Sequence, residues 1–308
     1  MAIIDIILIT FNRPNYLDKA IKSILAQSFR NFNLIIFDNG SDIETYEVIK
    51  SFKDKRITIV RNEINSSEFL NEAFNYVNSK YFMITHDDDE MGSDFLRNQI
   101  NVLELKNNID LLACRINLID ENSNDLNKIR PRIFCDKLWT KGDYINKYFF
   151  SGNIIPCPTI IFKSEFLKKH SLKYNFAVGP AADLYLLFEA NLKGVLAISK
   201  KPLYNYRIHS NQHSELNRAS LEFKVKSEII DLLRKNKMNC LVSSYNSASN
   251  GIILNIILEG FIRRKIPLSV FKQNIKKLMK HHDLKINRHT VYWSLIGIFR
   301  GVKNRIIT

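Results

Sequence analysis

Residues 81–89 read Tyr-Phe-Met-Ile-Thr-His-Asp-Asp-Asp, an apolar run that ends in three consecutive carboxylates. The run has the length and character of a strand buried on both faces. Three acids at the end of such a strand repel one another, and an unpaired buried charge is costly, so a polar partner is implied. A hard divalent cation carrying a diphosphate would meet that need, because Mg2+ and Mn2+ take oxygen ligands. The alternative is a solvated acidic loop that caps a helix starting near Ser93.

Working outward, the N-terminal half alternates strand and helix. Ile3–Thr10, Asn33–Asp38 and Ile57–Arg61 read as strands one to three, and Tyr81–Thr85 as the fourth. Asn15 is expected to cap a helix with Asp18 in its first turn and Leu17, Ile21, Ile24 and Leu25 on one face. A second helix is expected over Glu68–Val77. This alternation implies right-handed crossovers and a mainly parallel sheet, an α/β fold. Ligands of such sheets bind outside the carboxyl ends of the strands. Three polar clusters converge there: Thr10-Phe11-Asn12-Arg13, Asp38-Asn39-Gly40-Ser41 and His86-Asp87-Asp88-Asp89. Residues 110–210 are less regular, with apolar runs at Leu111–Ile119 and Pro158–Phe162 and a helix over Asp183–Leu192 that stops at Gly194.

The chain of 308 residues is 45% hydrophobic and 25% charged, which allows one large globular domain or a domain with an appendage. Cys114, Cys135, Cys157 and Cys240 are far apart and form no C-x-x-C pair, which argues against a zinc site or a disulfide framework and fits a reducing compartment. Met1 leads directly into an apolar strand interrupted by Asp5, without the pattern of a signal peptide. Met238–Leu258 is the longest uncharged stretch, but its Ser and Asn residues make it a poor membrane span. A cytoplasmic protein is expected. Residues 1–219 hold 28 Lys/Arg and 26 Asp/Glu, whereas residues 220–308 hold 17 and 5. A near-neutral body over 1–219 is therefore followed by a basic helical region over 220–308.

The ordered segments I-L-I-T-F-N-R at 7–13, L-x-x-A-I-x-S-I-L-A-Q-S at 17–28 and L-I-I-F-D-N-G-S at 34–41 resemble family 2 of the nucleotide-sugar glycosyltransferases, with the acidic group at the family's metal-binding Asp-x-Asp position. The likeness covers roughly residues 3–210. It implies the GT-A fold, a Rossmann-like, mainly parallel sheet with flanking helices, and inverting transfer from a nucleoside-diphosphate sugar of the surface-polysaccharide type. Carried over residue by residue, it puts Thr10 and Asn12 near base and ribose, Asp38 on a base N–H such as uracil N3–H, Arg13 near phosphate and Asn71 on the helix before strand four. Arg13 reads equally well as a surface arginine and Asn71 as an exposed helix residue. Asp88 takes the metal position, Asp89 supports it, and Asp87 approaches the ribose or a metal-held water. His86 stands where many members have the first Asp, and reads better as a rim residue than as a ligand.

The resemblance makes Asp183 the base that deprotonates the acceptor hydroxyl; its alternative is a helix cap. Ala182 replaces the usual glutamate before it, which touches acceptor contacts more than chemistry. Tyr206-Arg207-Ile208-His209 matches the family's Y-R-x-H segment, which closes over the diphosphate in related enzymes and lets His209 join an Mn2+ or Mg2+ shell. Ser151-Gly152-Asn153 and Pro156-Cys157-Pro158-Thr159 are assigned to the acceptor side, with core-turn duty as the alternative.

In the tail, Val270, Phe271, Ile275, Leu278 and Met279 recur at helical spacing beside a stripe of Lys272, Lys276 and Lys280. Arg263-Arg264-Lys265 and a last apolar segment, Val291–Phe299, lie near them, the segment holding Tyr292 and Trp293 and flanked by Arg300, Lys303 and Arg305. A helical subdomain with solvated lysines and a peripheral contact with an anionic membrane both fit, and the two can coexist. Nucleic acid finds no motif here. The whole then reads as a UDP-sugar transferase of the hexosyl or N-acetylhexosaminyl class. It extends an oligosaccharide or lipid-linked glycan such as O-antigen or capsule at the cytoplasmic face of the inner membrane. The competing readings are a sugar-nucleotide nucleotidyltransferase, for which Thr10–Pro14 lacks the Gly-rich phosphate loop, and a decayed glycan- or membrane-binding protein, suggested by His86 and Ala182.

Overall fold

Ile4–Thr10 form β1, and apart from Ile9 the strand is buried throughout. Such a strand needs neighbours on both edges, and β2 (Phe32–Asn39) and β4 (Tyr81–His86) flank it in parallel. The computed structural model describes residues 2–145, 147, 155–209, 218–263, 265–280 and 294–295. Ser151, Gly152, Asn153, Arg264, Tyr292, Trp293, Arg300, Lys303 and Arg305 lie outside them.

β3 (Ile57–Asn62) adds in parallel to β2 and forms an edge, consistent with its largely exposed pattern. On the other side the order runs β4, β9 (Ile161–Lys163), β6 (Leu111–Ile119), β10 (Leu196–Arg207) and β5 (Glu90–Met91). β10 is parallel to β6, while β9 and β5 run antiparallel to their neighbours. β7 (Asp125–Arg130) pairs with β6, and β8 (Lys137–Trp139) with β10. The result is the mainly parallel α/β sheet expected. β10, at 12 residues the longest strand described, was not foreseen. Its Ser199-Lys200-Lys201-Pro202 stretch breaks the apolar pattern, and the ladder shifts register on either side of Pro202.

Helix α1 (Pro14–Leu25) buries Leu17, Ala20, Ile21 and Ile24 against the sheet. Its cap is Arg13, with Pro14 at the first helical position, so the expected cap at Asn15 is two residues too late. The physical reason is that proline lacks the N–H that a cap would satisfy and has its φ already set. Arg13 makes no side-chain cap, which leaves its guanidinium for other work. Helix α2 (Ile43–Ser51) is capped by Asp42, whose carboxylate accepts from Thr45 N at 2.8 Å. The helix expected over Glu68–Val77 is a short α3 (Phe69–Glu72) followed by a 3-10 turn at Ala73–Tyr76. α4 (Phe95–Leu105) packs Phe95, Leu96, Ile100 and Leu103 into the same core as α1.

The described residues fall into two compact units. One is drawn from Met1–Gly142, Asn153–Phe176 and Leu186–Gln212, the other from Asp143–Gly152, Ala177–Tyr185 and His213–Thr308. The second unit contains helices Arg218–Lys235, Asn239–Ile262 and Leu268–Lys280. Ile253, Ile257 and Leu278 form its small apolar centre, with Phe223, Phe271 and Ile275 against it. Among the described residues, no helix is long and apolar enough to cross a membrane.

Asp5, an acid in the middle of buried β1, is fully answered. Its two oxygens accept from Asn78 N, Ser79 N and Ser79 Oγ at 2.7 Å each, and from Asn33 Nδ2 at 2.8 Å. It fastens the turn before β4 and so sets where β4 enters. Asp5→Ala strands four donors, and chemical denaturation is expected to show a loss of about 2–4 kcal/mol; an unchanged midpoint would refute this anchoring role.

Candidate active site

The strand ends meet as the sequence predicts. Thr10 pairs in register with Asp38 of β2, and Ile9 with His86 of β4. The carboxyl ends of three neighbouring strands therefore stand level at one rim.

Asp87 binds that rim together. Its Oδ2 accepts from Thr10 Oγ1 at 2.8 Å and from Phe11 N at 3.1 Å, and its Oδ1 from Arg13 Nη1 at 3.0 Å. Burial pushes its carboxyl above the usual carboxylate range, and Arg13 opposes the rise.

Asp88 is held differently. Its Oδ2 receives Arg13 Nη1 at 2.8 Å and lies 3.0 Å from His209 Nε2. Burial works to raise its pKa, but His86, the contact with His209 and Arg13 together bring the carboxyl below its ordinary value. His209 in turn packs against Tyr16, with ring centroids 5.2 Å apart. One ligand atom from each of His86, Asp88 and Asp89 lies within 4.8 Å of the others. A divalent cation fits this set by chemistry: two carboxylates, one of them kept ionised, and an imidazole suit Mn2+ or Mg2+. A cationic group, the Arg13 guanidinium, already bridges Asp87 and Asp88. The structure thus brings His86 into the candidate ligand set and places His209 on Asp88.

Asp89 faces inward. Its Oδ1 accepts from the backbone N of Arg207 at 2.9 Å, and Tyr204 OH lies 3.4 Å from Oδ2. Burial first, and the neighbouring Asp88 charge second, push its carboxyl well above the usual range. Arg207, with no exposed surface, is a clasp. Its Nε donates to Asp88 O at 2.8 Å, its Nη1 to Asp120 O at 2.7 Å and Glu121 O at 3.1 Å, and its Nη2 to Glu90. Its guanidinium also sits 4.9 Å from the Tyr16 ring centroid. The sequence reading placed Arg207 at the site but missed Glu90, Tyr204, Tyr16 and the 120–123 loop that define its role. Gln27, from the A-Q-S segment, locks the turn beyond: it donates to Gly92 O at 2.7 Å and accepts from Leu96 N at 3.0 Å. A Cβ on Gly92 would lie 2.7 Å from Leu203 O, so glycine lets β5 and β10 approach.

On β2, Asp38 has no exposed surface. Its Oδ1 accepts from Ser41 N at 2.9 Å. Its Oδ2 is 3.4 Å from Arg61 Nε but has no hydrogen-bond partner among the described residues. Arg61 is otherwise spent on Ser41 O at 3.0 Å and on the Tyr46 ring, 3.9 Å from its centroid. Asn12 adopts a left-handed φ of 52° and links two loops, receiving Asp42 N on its side chain at 2.7 Å and donating its own N–H to Ser41 Oγ at 3.2 Å. Asn71 is paired in both directions with the Tyr174 backbone, at 3.1 and 2.9 Å, and holds that loop. Asp183 falls in the segment grouped with the second unit; it sits in the first turn of helix Ala182–Lys193 and accepts from Leu184 N at 2.6 Å. Thr159, from the proposed acceptor side, is buried and bonded to Pro156 O at 2.8 Å, a core-turn duty.

The model of the family described as "Glycosyl transferase family 2" matches residues 5–169. The chain belongs to glycosyl transferase family 2. Among its relatives is an uncharacterized glycosyltransferase of Methanocaldococcus jannaschii, 34% identical over 56% of this chain, a match that spans only 59% of that protein. A glycosyltransferase of Rickettsia prowazekii, also uncharacterized, is 24% identical over 98% of this chain and 96% of its own. WfgD of Escherichia coli, a UDP-Glc:alpha-D-GlcNAc-diphosphoundecaprenol beta-1,3-glucosyltransferase, is 25% identical over 70% of this chain and 83% of its own. The fold is shared with TarS of S. aureus in complex with UDP, with a TM-score of 0.58 at 14% identity over 99% of this chain and 89% of TarS. It is shared equally with the mannosyltransferase PcManGT of Pyrobaculum calidifontis bound to GDP-Man and Mn2+, with a TM-score of 0.55 at 12% identity over 99% and 87%. This family 2 chain is a glycosyltransferase with a GT-A-like α/β fold and a C-terminal set of helices.

Asp89 generates a pH-dependent expectation. A carboxyl whose folded pKa is raised stabilises the fold fully below its unfolded value, and that contribution is lost as pH rises through the folded value. Asp89→Asn keeps an acceptor for Arg207 N without the buried charge. With metal removed, it is expected to melt higher than the natural chain at pH 8 by a few degrees, about 1–2 kcal/mol, and to converge with it towards pH 4. A lower melting point at pH 8 would count against this reading.

Proposed function

We propose that this glycosyltransferase moves a sugar from a nucleoside-diphosphate donor, a UDP-sugar, to a hydroxyl of a growing lipid-linked surface glycan, with inversion at the anomeric carbon. The observation that carries the proposal is the row of strand ends: the buried Asp38 Oδ2, which accepts no hydrogen bond among the described residues and faces Arg61 Nε at 3.4 Å, stands level with Thr10 and the acidic cluster. An acceptor oxygen without a donor suits a base N–H, such as uracil N3–H. Thr10 and Asn12 line the same rim, and Asp87 holds the rim closed from beneath. His86, Asp88 and Asp89 would hold a divalent ion, with His209 orienting Asp88. When bound, that ion supplies positive charge to the leaving diphosphate. Asp183 takes the acceptor proton as the acceptor oxygen bonds to the anomeric carbon, and the bond from that carbon to the diphosphate breaks with its electron pair leaving on phosphate. WfgD's diphosphoundecaprenol-linked acceptor and the UDP complex of TarS support the choice of acceptor and donor classes.

Membrane contact belongs to the same proposal. Phe271, Ile275 and Met279, with Lys272 and Lys276, line a groove of about 420 Å³ on helix Leu268–Lys280. Apolar side chains between lysines fit the interface of an anionic bilayer, where each basic residue near the surface contributes about 1 kcal/mol. Such a contact supports a position at the cytoplasmic face, beside a lipid-linked acceptor.

A thermal-shift panel of nucleoside diphosphates and sugar nucleotides, with and without Mn2+, tests the donor; no stabilisation by any of them would end the proposal. Asp183→Asn should retain nucleotide binding and lose transfer by roughly 10²–10⁴-fold. Asp88→Ala should lose the Mn2+-dependent part of nucleotide binding, as read by calorimetry. Flotation with vesicles containing anionic phospholipid should carry the full chain upward and a Lys272→Glu/Lys276→Glu/Met279→Ser variant, changed only at exposed positions, much less; equal flotation would detach the groove from membrane contact.

A further inference from the structure

One guanidinium nitrogen performs a double task at the rim. Arg13 Nη1 lies 3.0 Å from Asp87 Oδ1 and 2.8 Å from Asp88 Oδ2. The second contact occupies an oxygen of the residue that, with His86 and Asp89, forms the candidate ligand set. Placing a divalent ion among those three side chains puts it beside the positive charge of Arg13, and the two compete for Asp88. Bare ion binding must therefore displace the guanidinium or coexist with it, and either outcome weakens it.

The backbone around Arg13 is pinned. Asn12 is held through both its N–H and its side chain, Pro14 follows at the first helical position, and Arg13 O accepts from Leu17 N at 2.9 Å. Only the side chain can leave. It is 21% exposed, and its Nε and Nη2 make no hydrogen bond among the described residues. An anion at the rim would find these donors open, and a planar guanidinium suits the paired oxygens of a phosphate. Arg207 cannot play this part, because its donors are spent on carbonyls, Ser123 and Glu90 inside the fold.

We infer that Arg13 is a placeholder cation that makes divalent-ion binding conditional on a nucleoside diphosphate. In the empty enzyme it neutralises Asp87 and Asp88. When a diphosphate arrives, the guanidinium transfers to the phosphate oxygens and yields Asp88 to the ion. Linkage requires the converse: the ion tightens the diphosphate by the same factor. The consequence is an enzyme that does not charge itself with metal ahead of its donor. The inference rests on the donor-site reading given above.

The test is Mn2+ titration of the full chain, followed through the free-ion paramagnetic resonance signal, alone and with saturating UDP or GDP. The natural chain is expected to bind bare Mn2+ weakly and to bind it about 10–100-fold more tightly with the matching diphosphate, within the usual span of coupling between sites. Arg13→Gln removes the charge; bare Mn2+ should then bind about 5–10-fold more tightly, and the diphosphate effect should shrink to less than about threefold. Arg13→Lys keeps the charge and should leave bare Mn2+ binding weak, which also serves if Arg13→Gln folds poorly. Unchanged or weaker bare Mn2+ binding in Arg13→Gln with coupling intact overturns the placeholder role, as does tighter bare Mn2+ binding in Arg13→Lys. If the natural chain binds Mn2+ with neither diphosphate, the donor reading itself falls and the inference with it. If it binds both and the variants leave the coupling untouched, only the inference falls.

Discussion

Three adjacent carboxylates at the mouth of a buried strand are the constraint from which the rest of the molecule can be reasoned. Left alone they would repel one another and resist burial. Each is answered by a different part of the chain. Asp87 is met by Thr10, Phe11 and Arg13, all at the end of β1. Asp88 is met by Arg13 and by His209, just past β10. Asp89 is met by the backbone of Arg207 at the end of β10. The acidic turn is thus a joint: it ties the β1–β2–β4 side of the sheet to the β6–β10 side by charge and hydrogen bonds. The same groups that line the candidate site hold its two flanks in register.

Much of this was legible before any coordinates. Ile4–Thr10, Phe32–Asn39 and Tyr81–His86 are continuous apolar runs that end in polar residues, and such runs have few structural options. Their convergence follows from parallel topology alone. What escaped has identifiable causes. β10 carries Lys-Lys-Pro in its middle, so no periodicity marks it, although it supplies Tyr204, Arg207 and the approach to His209. The helix cap was assigned to Asn15 by residue preference, while Pro14 moved the start two residues earlier and freed Arg13. Arg207 was recognised through a motif that points to the diphosphate, yet its partners at Asp120, Glu121 and Ser123 lie more than eighty residues away, where local reading has no reach. The triplet's need for a partner was read correctly, but the partners found are protein side chains and backbone as well as any ion.

The comparisons with solved structures explain how little sequence this architecture demands. At 12–14% identity the fold persists over nearly the whole chain. A sheet of buried strands accepts many apolar residues as long as volume and pattern are kept. Specific polar geometry closes at a few positions instead, such as Asp5 at the turn before β4, Gln27 behind Gly92 and the clasp of Arg207. The fold of this family 2 chain is thus shared with proteins whose sequences differ from it at most positions.

Ala177–Tyr185 group with the C-terminal helices, although Leu186–Gln212 lie between them in the sequence. Thr10, Asp38, the acidic triplet and His209 all belong to the first unit, but Asp183 belongs to the second. A gene truncated after residue 212 would still encode Thr10, Asp38, the triplet and His209, but would leave Ala177–Tyr185 without the helices they are grouped with. The basic helices therefore belong to the compact unit that holds Asp183. Any lineage that shortens, swaps or fuses this chain at that point divides the unit that holds Asp183 and leaves the segments of the other unit whole.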